Sequence, residues 1–244
     1  MSTNIYLIIG AIAIVFIAYM IFLKTMMAKR NQKHLDEFNN NNPTSPLTES
    51  QKRLLAFGGI LFYFRGEKIL GITPTKSLDQ IIGGLAQQWE ITNPADAKET
   101  LHDLLTLKKS NEFEPLLQQS SKEIDEIRKE IASGLGIEKG LVTQVQSAYA
   151  WDICRAVSLA KWCYWVGYLT ETETWDIMQK ASEIANIKGK NWSDYTISFL
   201  LGRTIQGFDL EEIIVEAKQI YNSKGPSLRK VEDIDIYAKY QFKG

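Results

Sequence analysis

Residues 141–166 read LVTQVQSAYAWDICRAVSLAKWCYWV. Their apolar side chains are distributed almost all round a helix, which is typical of a helix buried on every side. The stretch therefore predicts the central helix of a mainly α domain. Asp152 and Arg155 lie three residues apart in it, so their side chains share a face and can pair, as buried charges require. A second arginine, Arg203, follows Gly202 in another apolar stretch and is a candidate for the same network.

Other helices are predicted on both sides of this stretch. Residues 54–64 form an apolar run, and apolar residues recur at helical spacing over residues 78–89. Residues 62–72 are the exception, because Arg65-Gly66-Glu67 stands between two apolar runs and is also compatible with a short β-hairpin. We therefore expect a compact multi-helix domain, with one small hairpin as an alternative.

Capping signals place the starts of four further helices. A polar N-cap side chain, a proline at the first helical position, and a Glu three residues after the cap all favour the start of a helix. The signals are Asn93-Pro94 for a helix through Leu107, Thr170 with Glu173 for a helix to about Ala185, Ser193 for the helix of Tyr195 to Gln206, and Asp209 with Glu212 for a helix to about Tyr221.

The N-terminal region contains an apolar run without a charged residue, from Ile5 to Leu23. As a helix it would span about 28 Å, close to the hydrocarbon thickness of a bilayer. A cleaved signal peptide has a basic start, a shorter apolar run and small residues at its end. Here no Lys or Arg precedes the run, which ends in the bulky residues 20–23. We interpret it as a retained single-pass membrane anchor.

Basic residues flank this span on one side only. Lys24, Lys29, Arg30 and Lys33 follow it, and none precedes it. Because cytoplasmic flanks carry the excess of Lys and Arg, the C-terminal side is predicted to lie in the cytoplasm. Residues 1–4 would then form a short external tail.

The chain after the anchor is predicted to hold one domain. Residues 24–46 are expected to form a basic juxtamembrane segment and an Asn/Pro-rich linker, followed by a helical domain over 47–244. The first 46 residues carry four of the 28 basic and two of the 29 acidic residues, which leaves 24 and 27 beyond them. A net charge of −3 argues against nucleic acid as a partner.

Metal and cofactor chemistry have little support in the sequence. The only histidines are His34 and His102, and no Cys or His cluster has the spacing of a zinc site. Cys154 and Cys163 lie among bulky apolar residues, where thiols are usually inert, and two free thiols fit a reducing compartment. We therefore predict neither a metal nor a cofactor.

Four stretches carry a resemblance to a known family. They are residues 89–97, 150–156, 167–175 and 192–203, in this order and spacing. On them the sequence resembles the bacterial family of unknown function numbered 1266. The resemblance implies a bacterial protein and supplies no catalytic residues, and the N-terminal anchor is not a general feature of the family. Its motif residues here are Trp89, Trp151, Asp152, Arg155, Gly167, Tyr168, Trp175, Trp192, Tyr195, Gly202 and Arg203.

Two functional hypotheses follow. The favoured one is a non-enzymatic protein-interaction module, acting as scaffold, regulator or toxin-neutralising protein, tethered at the cytoplasmic face of a bacterial inner membrane. Its partners would be the bilayer and another protein, and a homo-oligomer is left open. The alternative is a hydrolase acting on a phosphorylated or nucleotide substrate, with Arg155 and Arg203 as anion binders and Asp152 as acid or base. For these three residues a purely structural buried ion pair is favoured over a site.

Overall fold

All regular secondary structure is helical in the residues that the computed structural model describes, which are 2–42, 45–74, 77–119, 121–224, 227–228 and 231–244. This confirms the mainly α prediction. The helices are α1 (Ser2–Asn41), α2 (Glu49–Ala56), α3 (Gly59–Phe64), α4 (Leu78–Trp89), α5 (Pro94–Leu105), α6 (Lys108–Gln118), α7 (Lys122–Leu135), α8 (Lys139–Thr143), α9 (Tyr149–Trp165), α10 (Glu171–Lys188), α11 (Trp192–Ile205), α12 (Ile214–Tyr221) and α13 (Ile236–Lys239).

Helix α9 is the centre of the domain. Every one of its residues is buried, and α5, α10 and α11 pack most extensively around it. The single helix expected over residues 141–166 is divided, because the chain leaves helical geometry between α8 and α9. Polar side chains bond the backbone there: Gln146 donates to the Thr143 carbonyl at 2.7 Å, and Ser147 accepts from the Tyr149 amide at 3.3 Å. Such local bonds compete with the helical ladder.

Two of the predicted helix starts are confirmed. The Asn93 side chain accepts from the amides of Ala95 and Asp96, at 2.8 and 3.1 Å, and so caps α5. Thr170 and Glu173 form the reciprocal capping box that opens α10. In both cases the cap and its partner lie close together in sequence, so the local pattern is sufficient.

The other two predicted caps are wrong. Asn191, two residues before Ser193, caps α11 by accepting from the Asp194 amide at 2.9 Å. Asp209 accepts from the Glu211 amide at 2.8 Å within a turn, and α12 begins only at Ile214. Glu212 is not available as a capping partner because it pairs with Arg203, nine residues earlier.

The possible β-hairpin over residues 62–72 is instead a helix end. Gly66 takes the left-handed conformation, with φ of 66°, which glycine adopts without a steric penalty. The Glu67 amide donates to the Phe62 carbonyl at 2.8 Å, and the Gly66 amide donates to Tyr63 at 2.9 Å. These two bonds form the Schellman motif that ends α3.

Helix α1 is long and apolar enough to cross a membrane, a test that a signal sequence near an N-terminus also passes. It does not end with the apolar run at Leu23. It continues to Asn41, so most of the segment expected as juxtamembrane region and linker is helical. Of that linker, Pro43 and Thr44 lie outside the described residues. We refer to residues 24–41 as the stalk.

The stalk packs against the helical domain at two points. Arg30 forms an ion pair with Asp79 of α4, with Nε and Oδ2 3.1 Å apart. About two helical turns further along, Phe38 is buried, and its ring meets that of Tyr164 edge-on at a centroid distance of 5.3 Å. The aromatic contact removes apolar surface from water, whereas the exposed ion pair contributes little energy.

Candidate functional site

Asp152 is a fully buried carboxylate that joins two helices. It accepts a hydrogen bond from the guanidinium of Arg155, and its Oδ2 accepts from the Ser110 amide at 2.8 Å. Ser110 lies in the first turn of α6, whose N-cap residue Leu107 supplies no capping side chain. Asp152 therefore caps α6 from across the core, where it also meets the positive end of the helix dipole.

This arrangement bears on the proposed role of Asp152 as acid or base. Both carboxylate oxygens are engaged by donors that hold the domain together. A general acid or base must be within hydrogen-bond reach of a bound substrate, and the fully buried Asp152 lines none of the described cavities. Its geometry is that of a structural ion pair and helix cap.

Arg155 lies on the same helix, and its guanidinium packs against two tryptophan rings. Its guanidinium lies over the Trp151 ring at 4.4 Å and 5.8 Å from the Trp89 ring centroid. Its Nε donates to the Trp151 carbonyl at 3.3 Å. The guanidinium plane is thus fixed by an aromatic face and by Asp152 before any ligand arrives.

Arg203 does not join the Asp152 network. It is 5% exposed, and its Nη2 donates to Glu212 at 2.8 Å and to the Asp209 carbonyl at 3.4 Å. The guanidinium lies 4.9 Å from the ring centroid of Phe208. Its Nε is buried and has no hydrogen-bond partner among the described residues.

Arg155 and Arg203 nevertheless line one cavity of about 390 Å³, together with a third arginine, Arg65. We call it the arginine pocket. Helices α3, α4, α9 and α11 and the turn after α11 form it, and none of the described residues that line it is Asp or Glu. The remaining lining residues are Leu61, Phe64, Gln88, Trp89, Trp151, Trp162, Gln206 and Phe208.

Two glutamines complete the polar lining of the pocket. The Gln206 side-chain oxygen accepts from the Trp151 indole at 2.5 Å, and the Gln88 oxygen accepts from Arg65 at 3.2 Å. Indole and guanidinium groups only donate, so the amide oxygen of each glutamine is the atom that faces Trp151 or Arg65. Each glutamine keeps its NH₂ group as a donor. The polar groups of the pocket are therefore mainly hydrogen-bond donors.

The charges of the three arginines are partly compensated from outside the pocket. Burial lowers the pKa of each guanidinium, and a nearby carboxylate opposes the shift. Guanidinium groups remain protonated in proteins, so the pocket presents three cations. The opposing carboxylates are Glu67 for Arg65, Asp152 for Arg155 and Glu212 for Arg203.

Several motif residues belong to the pocket or support its wall. Trp89, Trp151, Arg155 and Arg203 line it. Gly202 is one residue before Arg203, and a Cβ placed on it would lie 2.4 Å from the Trp151 Cβ. A glycine is needed here because α9 and α11 approach each other too closely for a side chain.

The remaining motif residues hold the surrounding scaffold. Tyr195 donates to the Phe57 carbonyl at 2.5 Å, and Tyr168 to the Thr92 carbonyl at 2.8 Å. Trp192 stacks on Tyr237 at 4.1 Å and so attaches the C-terminal segment to α11. In the same group, Trp175 donates to Glu171 at 3.1 Å, and Gly167 has a φ of 78°.

Three polar pocket residues, Arg65, Gln88 and Gln206, were not among the site residues predicted from the sequence. Arg65 lies in the segment where a hairpin was considered, and Gln88 occupies the exposed side of α4. Gln206 could have been found, because it lies three residues after Arg203 and so shares its helix face. For Arg65 and Gln88 we find no comparable local signal.

Lys161 is a further buried charge that the sequence analysis missed. It lies in α9 with no exposed surface, and its Nζ donates to the Lys68 carbonyl at 2.8 Å. The Phe62 ring lies 3.9 Å from the same nitrogen. Burial lowers the pKa of Lys161 to about 7, against the opposing attraction of Glu67. A single lysine in an otherwise apolar helix was the available signal.

This lysine predicts a pH-dependent stability. Between a folded pKa of about 7 and the ordinary 10.5, the unfolded chain binds more protons at Lys161, so the free energy of unfolding rises with pH. The maximum slope is about 1.36 kcal/mol per pH unit. In the wild type, Lys161 should raise the free energy of unfolding by about 1–2 kcal/mol from about pH 7 to about pH 8.5. We expect this part of the rise to be absent in the Lys161→Met variant.

Urea unfolding of the full chain in detergent micelles, followed by tryptophan fluorescence, measures this difference. The exposed Lys122→Met serves as the control and should keep the wild-type slope. An unchanged slope in Lys161→Met would contradict the assignment. The pH range stops near 8.5 because burial raises the pKa of both Cys154 and Cys163 to about 12. Above that pH the thiols ionise in the unfolded chain but not in the folded one, which lowers the free energy of unfolding.

The two cysteines are buried, and the part of the chain that the structure describes shows no metal-holding group. Cys154 and Cys163 are free and buried, and their raised pKa keeps them as thiols near neutrality. Among the described residues, no three His, Cys, Asp or Glu side chains are placed to hold a metal ion. The chemistry of the candidate site is therefore that of the arginine pocket.

The molecule is thus an all-helical domain with a pocket of arginine and tryptophan side chains, preceded by one long apolar helix. The chain belongs to the family described as "Protein of unknown function (DUF1266)", which it matches over residues 84–223. This confirms the resemblance over residues 89–203 and extends it at both ends. No curated protein and no solved structure matches the chain. Helices α1, α2, α3 and α13 lie outside the matched residues, as does Arg65, which directly follows α3.

Proposed function

We propose that this chain is a membrane-tethered binding protein that recognises an anionic group in the arginine pocket. The observation that carries the proposal is the convergence of Arg65, Arg155 and Arg203 on one cavity whose described lining contains no carboxylate. Arginine is the side chain best suited to bind phosphate and carboxylate groups, because its N–H groups form a planar fork.

The proposal combines elements of both earlier hypotheses. The anion-binding role of Arg155 and Arg203 is retained, whereas the role of Asp152 as acid or base is dropped because both its oxygens are engaged within the core. A binding domain without chemistry of its own acts through what it contacts, so a second protein at the membrane remains part of the proposal. Tethering raises the local concentration of the domain around such a partner.

The proposed location is the cytoplasmic face of a bacterial inner membrane. Two observations support a retained anchor: helix α1 continues unbroken past Leu23, and Phe38 in its last turns is buried against the domain. Signal-peptide cleavage requires small residues at its site, and bulky ones occupy the end of the apolar run. The basic residues that follow the run support a cytoplasmic domain.

Ligand binding by the full chain in detergent micelles tests the function. We would titrate phenyl phosphate, glycerol phosphate, benzoate and acetate, each beside its uncharged alcohol or amide analogue, and follow tryptophan fluorescence and heat. At least one anion should bind, and its neutral analogue should not. In Arg203→Gln the affinity should fall by about 10-fold or more, because a hydrogen bond to a charged group contributes roughly 1.5–3 kcal/mol.

Lys122→Gln is a matched control, since it removes an exposed positive charge outside the pocket. It should leave the affinity unchanged, and circular dichroism establishes whether Arg203→Gln is folded. The proposal is wrong if none of the anions binds, or if folded Arg203→Gln binds them as the wild type does.

A further inference from the structure

The residues that line the arginine pocket restrict the chemical class of the ligand more narrowly than the charge of the pocket does. This step rests on the proposed function, because it concerns the same cavity. Aromatic rings from four elements line it: Phe64 of α3, Trp89 of α4, Trp151 and Trp162 of α9, and Phe208 after α11. Indole rings beside cationic donors are typical of sites that stack flat ring systems.

The volume of the pocket sets the size of the ligand. Small-molecule pockets usually measure about 300–1,000 Å³, so the cavity of about 390 Å³ lies at the lower end of the range. One ring system with one acidic group is of suitable size. A dinucleotide or a folded peptide segment is too large.

The donors of the pocket favour phosphate over carboxylate. Arg155 and Arg203 keep further N–H groups beyond those that bond Asp152, Glu212 and two backbone carbonyls, and with the two glutamine NH₂ groups these donors outnumber what the two oxygens of a carboxylate can accept. A phosphate monoester has three terminal oxygens and a charge of about −1.5 to −2 near neutrality.

The arginine pocket is also arranged before a ligand binds. The guanidinium of Arg65 lies 4.3 Å from the Trp162 ring centroid, and that of Arg155 lies 4.4 Å from the Trp151 centroid. The Trp162 indole in turn donates to the buried Glu67 at 3.0 Å. Fixed donors of this kind lower the entropy lost on binding.

We infer that the arginine pocket binds a nucleoside monophosphate, with the phosphate among the three arginines and the base against the tryptophan rings. The glutamine NH₂ groups are suitable donors for the acceptor atoms on the edge of a base. Trp89 is the ring best placed for a test, because it is only half buried and it ends α4, at the rim of the core.

Calorimetric titration of the full chain in detergent micelles tests the inference with four probes. These are a purine nucleoside monophosphate, the corresponding nucleoside, ribose 5-phosphate and inorganic phosphate. The monophosphate should bind at least about 10-fold more tightly than ribose 5-phosphate and inorganic phosphate, because base stacking on an aromatic side chain supplies an increment of that order. It should exceed the nucleoside by a similar factor, because the nucleoside lacks the charged group that the arginines bind. Trp89→Leu should remove most of this preference, because it lowers the affinity for the monophosphate by a larger factor than the affinity for ribose 5-phosphate.

Trp175→Leu is the matched control, because Trp175 is also half buried but does not line the pocket. It should bind the monophosphate as the wild type does. Equal binding of ribose 5-phosphate or inorganic phosphate would overturn the ring requirement and leave anion binding intact. If the earlier titration of benzoate gives tighter binding than the monophosphate shows, the choice of phosphate is overturned. If no anion binds, the proposed function fails as well.

Discussion

Replacing Asp152 by alanine is expected to lower the free energy of unfolding by about 3–5 kcal/mol, because it removes one partner of a buried ion pair. The change leaves the charge of Arg155 without its carboxylate, and the Ser110 amide without the acceptor that caps α6. An unsatisfied buried donor adds to the cost. Urea unfolding of the full chain in detergent micelles measures the loss.

A second acidic residue provides the control for this variant. Asp103 forms an ion pair with Lys108 at 2.7 Å, but both side chains are largely exposed. Its replacement by alanine should cost less than about 1 kcal/mol, as is usual for exposed pairs. The buried cap would be refuted by equal losses in the two variants. The double variant Asp152→Ala with Arg155→Met should lose less than the sum of its parts, because the two residues interact directly.

Gly202→Ala is expected to destabilise the domain by about 3 kcal/mol, at the upper end of what overpacking a core usually costs. The new Cβ would lie 2.4 Å from the Trp151 Cβ and 3.1 Å from the Ala148 Cβ. Both of these atoms are attached directly to the backbone of the chain, so relief requires α9 and α11 to separate. Thermal unfolding followed by circular dichroism measures the effect.

Gly84→Ala is the corresponding control in α4. Nothing lies within 4 Å of a Cβ at this position, and alanine favours a helix over glycine by about 0.5–1 kcal/mol. This variant should therefore be more stable than the wild type. A stabilising Gly202→Ala would show that the close approach of the two helices is not required.

Local features of the sequence predicted most helices and two of their caps. Apolar spacing predicted the buried helix α9, and Asn93 and Thr170 were identified because a cap and its partner are close in sequence. The error at α12 has a tertiary cause. Glu212 was assigned to a capping box from its spacing alone, whereas the folded chain brings it to Arg203. Local pattern does not specify which distant partner a charged side chain meets.

The arginine pocket shows the same limit on a larger scale. Arg155 and Arg203 were recognised as unusual charges in apolar helices, but their shared cavity depends on how α9 and α11 pack. Arg65 reaches it from α3, through a turn whose conformation was undecided in the sequence. Asp152 was grouped with both arginines, and only its bonds to Arg155 and Ser110 separate its role from theirs.

Because α1 is continuous, the number of residues between the apolar run and the domain determines how the two are rotated relative to each other. An α-helix turns by about 100° and rises about 1.5 Å per residue, and α1 is continuous from the apolar run to the buried Phe38. With the apolar run in a bilayer, one alanine inserted between Leu23 and Arg30 would swing the whole domain about a quarter turn around the helix axis. The rotational phase of this helix thereby determines the direction, within the plane of the membrane, in which the mouth of the arginine pocket faces.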